Sequence, residues 1–284
     1  MQKNQIDLSK TKFTPECEAR LLEYNGEDRI VTFKEKQDEI LQAGEPDVKI
    51  LTGFSLLDSW VSHFEPGDVI TISGPTKSGK TLLAQTLTMN MYMQEIYSLW
   101  FSYELTAKQF LGTFPCLPEP AYIPRKMMSG AMDWIEERIY EAKVKTDDKV
   151  KCIYIDHLHF LVDLVVKQNM SIQIGAILRS LKRIAQDYEV CIFLIAHTGK
   201  IPRGEDPDGE NIRDSSFIRQ ESDTVLIIWR TTENNQAKLM VDVCRRTGAF
   251  KKTLIVVKEK GLLYQVEEHI AEENEPRRDY WNKS

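Results

Sequence analysis

Paired cysteines are missing from this chain. Its five cysteines, Cys17, Cys116, Cys152, Cys191 and Cys244, are scattered, and none forms a C-x-x-C pair. That spacing excludes a zinc ribbon. Cys152 and Cys191 fall in apolar runs and read as buried thiols of a reducing compartment. A long hydrophobic run is missing as well: no stretch reaches the roughly 18–20 apolar residues that a spanning helix needs. The opening residues Met1-Gln2-Lys3-Asn4-Gln5 lack the apolar core of a signal peptide. An excess of basic charge is also absent, with 37 Lys and Arg against 43 Asp and Glu and a net charge of −6. A globally basic nucleic-acid binder is excluded, so any contact with DNA or RNA must come from local basic loops. The expectation is a soluble, cytoplasmic protein with no membrane contact.

What is present is enough for one large domain with a small appendage: 284 residues, 42% of them hydrophobic. Residues 1–45 are polar and carry helix-start signals. Thr14 before Pro15 has the form of an N-cap and a first-turn proline. Thr32 with Glu35 has the form of a capping box opening a helix over about 33–43, and Gly44-Glu45-Pro46 should end it. This region is expected to be an N-terminal arm and linker helix, packed on its own domain or docked on a neighbouring copy.

Beyond it, strand and helix signals alternate. Val69–Ser73, Ser98–Tyr103, Cys152–Ile155, Val190–Ala196 and Val225–Trp229 are short apolar runs rich in β-branched and aromatic residues. Leu82–Met93 and residues 171–188 are helical; in the latter Ile174, Ile177, Leu181 and Ile184 recur at helical spacing. Thr106 with Gln109 caps another helix. Continuous apolar strands alternating with helices predict an α/β fold with a mostly parallel sheet flanked by helices on both faces. Leu239–Val243, Leu254–Val257 and Leu262–Val266 follow without long helices between them, and Gly261 marks a hairpin. The sheet should therefore finish in antiparallel edge strands. The expected divisions are 1–45 for the arm, 46–267 for the main domain and 268–284 for a charged tail.

The chemistry is concentrated at strand ends. Gly74-Pro75-Thr76-Lys77-Ser78-Gly79-Lys80-Thr81 matches G-x-x-x-x-G-K-T in full, between a strand and a helix opened by Leu82. The glycines let backbone N–H groups wrap a phosphate, and the following helix adds its positive end. Lys80 is placed to pair with the β- and γ-phosphates of ATP, and the Thr81 hydroxyl to ligate Mg2+. Asp156 ends the strand Cys152-Ile153-Tyr154-Ile155 as a second Mg2+ ligand. Glu104 ends the earlier run Trp100-Phe101-Ser102-Tyr103, where a carboxylate can orient the attacking water. His197 ends Phe193-Leu194-Ile195-Ala196, where it can sense the γ-phosphate.

Taken in order, these stretches resemble the RecA-like, P-loop motor domain of the DnaB-like hexameric replicative helicases, with features of the phage primase-helicase and Twinkle branch. Leu51-Thr52-Gly53-Phe54-Ser55-Leu56-Leu57-Asp58 with Pro66-Gly67-Asp68 resembles the entry segment TGF..LD....L.PGD. Phe101-Ser102-Tyr103-Glu104-Leu105-Thr106 resembles the segment with the family's catalytic glutamate, and Ile155-Asp156-His157-Leu158 its IDYLQ segment. Ile212-Arg213-Asp214-Ser215-Ser216 with Ile218-Arg219-Gln220-Glu221-Ser222-Asp223 resembles LR-x-SG-x-I/L-x-Q-x-x-D. Cys244-Arg245-Arg246-Thr247-Gly248 resembles the hairpin bearing an arginine finger. The likeness covers about 220 residues.

The resemblance implies an ATP-dependent DNA helicase of DNA replication, hydrolysing ATP between subunits of a hexameric ring. The finger would be Arg245 on the phage spacing or Arg246 on the bacterial spacing. Single-stranded DNA would lie in the channel, contacted by Lys167, Lys200, Arg203 and Arg213; a primase or loader protein would be a further partner. Two departures stand out. A histidine occupies position 197 where bacterial DnaB has glutamine, and Val243 or Cys244 holds the place of the lysine that precedes the finger. A stand-alone motor from a phage or mobile element fits this arrangement. A RecA-, RadA- or KaiC-like ATPase that binds DNA or protein without unwinding shares the same strand order, and a nucleotide-dependent assembly switch that has lost hydrolysis is the third reading.

Overall fold

The computed structural model describes residues 14–26, 29–44, 48–128, 132–162, 170–197 and 215–266. The chain divides into two units, Met1–Asp47 and Val48–Ser284. In the first unit, α1 (Pro15–Leu22) precedes α2 (Phe33–Ala43). The expected capping box opens α2. The Glu35 N–H donates to Thr32 Oγ1 at 3.2 Å, and the Thr32 N–H donates to Glu35 Oε2 at 2.7 Å. Gly44, at φ +84°, follows the last turn. Phe33, Ile40 and Leu41 of this helix are exposed.

In the second unit, the described residues form one nine-stranded sheet in the order β3-β2-β4-β5-β1-β6-β7-β8-β9. The strands are β1 (Val69–Ser73), β2 (Tyr97–Ser102), β3 (Ala121–Tyr122), β4 (Val150–Asp156), β5 (Cys191–Ile195), β6 (Thr224–Arg230), β7 (Gln236–Cys244), β8 (Phe250–Glu259) and β9 (Leu262–Gln265). β1 to β6 pair in parallel; β7, β8 and β9 add antiparallel strands. This is the mixed sheet expected from the sequence. The β8–β9 hairpin turns on Lys260 and Gly261, both at positive φ, as a two-residue turn of the twist-matching kind requires.

The continuous apolar strands exist because both sheet faces are covered. Side chains alternate across a strand. Ile70, Tyr154, Cys191 and Phe193 therefore enter one core with α3 (Ser55–Val61) and α4 (Lys80–Tyr92). Val69, Ile153, Ile155, Ile192 and Leu194 enter the other, with α6 (Met132–Lys145), α7 (Met170–Asp187) and α8 (Ser215–Glu221). The short α5 (Ala107–Leu111) carries the expected Thr106–Gln109 capping box. In the first core Tyr154 stacks between Trp100 and Phe193, at centroid distances of 4.5 and 4.8 Å. Each such aromatic pair contributes about 0.5–1.5 kcal/mol beyond its buried area.

The parallel strands share one direction, so their C-terminal ends line one edge of the sheet. Ser73, Ser102, Asp156 and Ile195 all finish there. Ligands of open α/β sheets bind outside that edge. Two of the segments singled out in the sequence act by holding this frame. Asp58 accepts from the Thr52 N–H and hydroxyl at 2.8 and 2.7 Å and clamps the Thr52-Gly53-Phe54 entry. Asp223 Oδ2 accepts from the Val69 N–H at 2.8 Å and from Lys182 Nζ at 2.7 Å, tying the start of β1 to α7.

Candidate active site

The loop between β1 and α4 wraps because two positions tolerate backbone that other residues rarely adopt. Gly74 has φ +152°, and a Cβ there would fall 2.1 Å from the Ile228 carbonyl oxygen of β6. Gly79 has φ +107° and stands as N-cap of α4 without a side-chain cap. The first-turn N–H groups of α4 are therefore directed at the loop, with the positive end of the helix behind them. Thr76 and Lys77 are exposed, Pro75 is half-buried and Ser78 is buried; Leu82 packs against the first core.

Lys80 is buried, with its ammonium donating to the carbonyls of Gly74 at 3.0 Å and Pro75 at 2.9 Å. Burial lowers its pKa to about 8, against the opposing pull of Asp156 and Glu104. Asp156 is fully buried, and burial lifts its carboxyl to about 6, an effect the Thr81 hydrogen bond reduces and Glu104 reinforces. Its Oδ2 accepts from the Thr81 hydroxyl at 2.9 Å. Its Oδ1 is buried with no hydrogen-bond partner among the described residues. A hydroxyl and a carboxylate with a spare buried oxygen form an all-oxygen donor set, which suits Mg2+.

Ser98 Oγ and Arg138 Nε are buried without partners elsewhere among the described residues; other such atoms belong to Ser73, Ser78, Ser102, Tyr103 and His197. They gather around the same loop and strand ends, where buried donors and acceptors cost most if nothing ever meets them. Glu104 and His197 are where the strand ends predict. A ligand atom of each lies within 4.8 Å of the other and of one from His157. Burial lowers both His157 and His197 to about 4, aided by neighbouring imidazoles and by Lys80. Both rings are therefore neutral at pH 7, able to donate through one nitrogen and accept through the other.

The two arginines are elsewhere. Thr224, at the start of β6, pairs with Cys244, so the Arg245–Thr247 turn lies at the opposite edge of the sheet from the Gly74–Thr81 loop. The strands between those edges span about 13 Å or more at roughly 3.3 Å per residue. The chain does not bring either arginine to its own loop. Arg246 is engaged at its own edge, bonding Glu65 at 2.7 Å and Asp68 at 3.0 Å. Arg245 is about half exposed, with a guanidinium nitrogen 3.9 Å from Asp223. Lys167, Lys200, Arg203 and Arg213 lie outside the described residues.

Sequence reasoning missed His157. Its signal is its place one residue beyond the strand-end Asp156, where the side chain points back over the same sheet edge. It also missed the partners of Arg246, which lie 178 and more residues away in the chain.

With this geometry in view, residues 125–267 match the family model for the DnaB-like helicase C terminal domain. The replicative DNA helicase DnaB of Treponema pallidum is 22% identical over 68% of this chain and 51% of its own length. This chain thus spans about half of that relative. A solved ATPase domain superposes with a TM-score of 0.70 at 17% identity, over 84% of this chain and the whole of that one. A DnaB-like replicative helicase, solved in a study of its interactions with primase, gives 0.68 at 18% identity, over 89% of this chain and 70% of that one.

Proposed function

Because the chain belongs to the DnaB-like helicase C-terminal domain family, we propose that it is the ATP-hydrolysing motor of a replicative DNA helicase. It acts as a ring of copies, expected to be hexameric, that translocates on single-stranded DNA. The observation that carries this reading is a divided site. The loop, Lys80, Thr81, Glu104 and Asp156 meet at one edge of the sheet, while the half-exposed Arg245 sits at the other. A divided site needs a second copy.

ATP enters with its phosphates against the loop N–H groups and the start of α4. Lys80 exchanges the Gly74 and Pro75 carbonyls for β- and γ-phosphate oxygens. Thr81 and Asp156 would hold Mg2+, which would supply neutralisation of charge on the transferring phosphoryl group. Glu104 orients the attacking water and accepts its proton. His197, as a neutral imidazole, donates a hydrogen bond to the γ-phosphate. Arg245 of the neighbouring copy meets the charge that develops in the transition state. Arg246, held by Glu65 and Asp68, fixes the turn that presents Arg245.

Residues 46–267 form the motor, 1–45 an arm whose helix α2 docks on an adjacent copy through Phe33, Ile40 and Leu41, and 268–284 a tail. Lys167, Lys200, Arg203 and Arg213 are the DNA contacts this reading calls for, and a primase or loader is a further partner. Among the described residues no helix is long and apolar enough to cross a membrane.

The test is ATP hydrolysis by the purified chain with and without single-stranded DNA, beside Lys80→Ala. DNA stimulation that vanishes in the variant supports a DNA-coupled motor and calls for a forked-duplex unwinding assay. Hydrolysis indifferent to DNA moves the chain to a KaiC-like or protein-remodelling ATPase and removes the DNA contacts.

A further inference from the structure

Three of the five histidines of the chain, His157, His159 and His197, meet above the loop-bearing edge of the sheet. The rings of His157 and His197 have centroids 4.6 Å apart and stand nearly perpendicular. Glu104 reaches the same place from the end of β2, and one ligand atom from each of Glu104, His157 and His197 lies within 4.8 Å of the other two. The His197 Nδ1 is buried with no hydrogen-bond partner among the described residues. The His157 Nδ1 accepts a long hydrogen bond of 3.3 Å from the His159 N–H, which a cation can replace by taking the same lone pair.

Two imidazoles and one carboxylate are the wrong donors for Mg2+, which prefers oxygen ligands. They suit a borderline divalent cation such as Zn2+ or Co2+, and three protein ligands with an open fourth position are a common zinc arrangement. Tetrahedral ligands at about 2.0–2.1 Å from zinc lie about 3.4 Å from one another. Rotamer shifts of about 1 Å close the present cluster to that geometry, and Glu104 is exposed and able to move. The likeness noted in the sequence has tyrosine where His157 stands, so the pair of facing imidazoles is not part of that pattern.

We propose that Glu104, His157 and His197 form a site for one Zn2+-class cation, which takes up the Glu104 carboxylate and halts hydrolysis. The inhibition rests on the water-orienting role proposed for Glu104; the binding does not.

The test is titration of the full chain with Co2+, read by visible absorption, for the wild type, His157→Tyr, His197→Asn and a distant control, His63→Asn. The wild type and the control are expected to bind one Co2+ with the intense absorption of four- or five-coordinate cobalt, displaced by Zn2+. Losing even an outer-shell partner of a metal weakens binding roughly tenfold to a hundredfold, so each cluster variant, which loses a direct ligand, should weaken at least that much. Thermal melts identify a variant that fails to fold, and the other then decides. In parallel, Zn2+ should inhibit ATP hydrolysis at saturating Mg2+, reversibly on chelation, and His157→Tyr should resist. Absence of saturable Co2+ binding, or unchanged affinity in both folded cluster variants, overturns the site. Histidine-dependent binding in a chain that hydrolyses no ATP would keep the site and remove the hydrolytic reading.

Discussion

The two edges of the parallel sheet treat polar groups in opposite ways. At the edge where β1 begins, charges are matched: Arg246 with Glu65 and Asp68, and Asp223 with Lys182 and the Val69 N–H. At the edge where β1 ends, Asp156, Ser78, Ser102 and His197 keep buried atoms without partners among the described residues, and two glycines take left-handed backbone. Unmet buried polarity costs free energy in the isolated chain. Ser98 Oγ and Arg138 Nε are exceptions elsewhere among the described residues, but most of the unmet atoms gather at this edge, where a ligand can supply partners. The matched edge is structural, apart from Arg245, which is half exposed and reaches Asp223 only at 3.9 Å.

The largest effects should come from the groups that this contrast assigns to transition-state charge. Lys80→Ala and Arg245→Ala should each lower kcat by roughly a thousandfold, the lower end of the range for an arginine finger. Steady-state hydrolysis measures this, and an Arg245→Ala chain of near-wild-type activity would return the arginine to the structural edge.

A smaller and opposite pair of effects is expected at Asp156. Its folded carboxyl, at about 6, lies above its ordinary value of 3.8. The folded chain then binds that proton more tightly than the unfolded one, so stability falls as pH rises from about 4 to about 6. At pH 7 the ionised carboxylate is a cost on the order of 3 kcal/mol. Asp156→Asn should remove hydrolysis yet raise Tm by several degrees. The gain should disappear below about pH 4, where the wild-type carboxyl is protonated in both states. Melts across that range check it, and a lower Tm for the variant at pH 7 would mean that the carboxylate is already compensated.

The smallest effect separates the two arginines. Arg246→Ala should cost about 1 kcal/mol or less, because its ion pairs are partly exposed, and should keep hydrolysis within about fivefold. Denaturant melts and kinetics together check this. A loss as deep as that of Arg245→Ala would make Arg246 the finger.

Much of the loop-bearing edge was legible in the sequence. Its backbone comes from eight consecutive residues, and Glu104, Asp156 and His197 each end or follow an apolar strand, so parallel order alone aligns them. α6 was not anticipated, because only Ile135, Ile139 and Ala142 are buried along its 14 residues. β3 is two residues long, and α3 has seven residues and no side-chain cap. The matched edge was illegible for a different reason: its ion pairs join Glu65 and Asp68 to Arg246 across most of the chain. Local periodicity carries no information about such pairs. The choice between Arg245 and Arg246, open on sequence spacing alone, turns on those long-range contacts.

The most direct test of a site divided between copies is to mix Lys80→Ala and Arg245→Ala chains, each inactive alone. Mixed assemblies contain interfaces that combine an intact loop from the Arg245→Ala chain with an intact arginine from the Lys80→Ala chain. A divided site predicts that hydrolysis reappears on mixing and depends on the ratio of the two chains. No recovery, in mixtures shown to co-assemble, would contradict it and require the arginine and the loop to act within one chain.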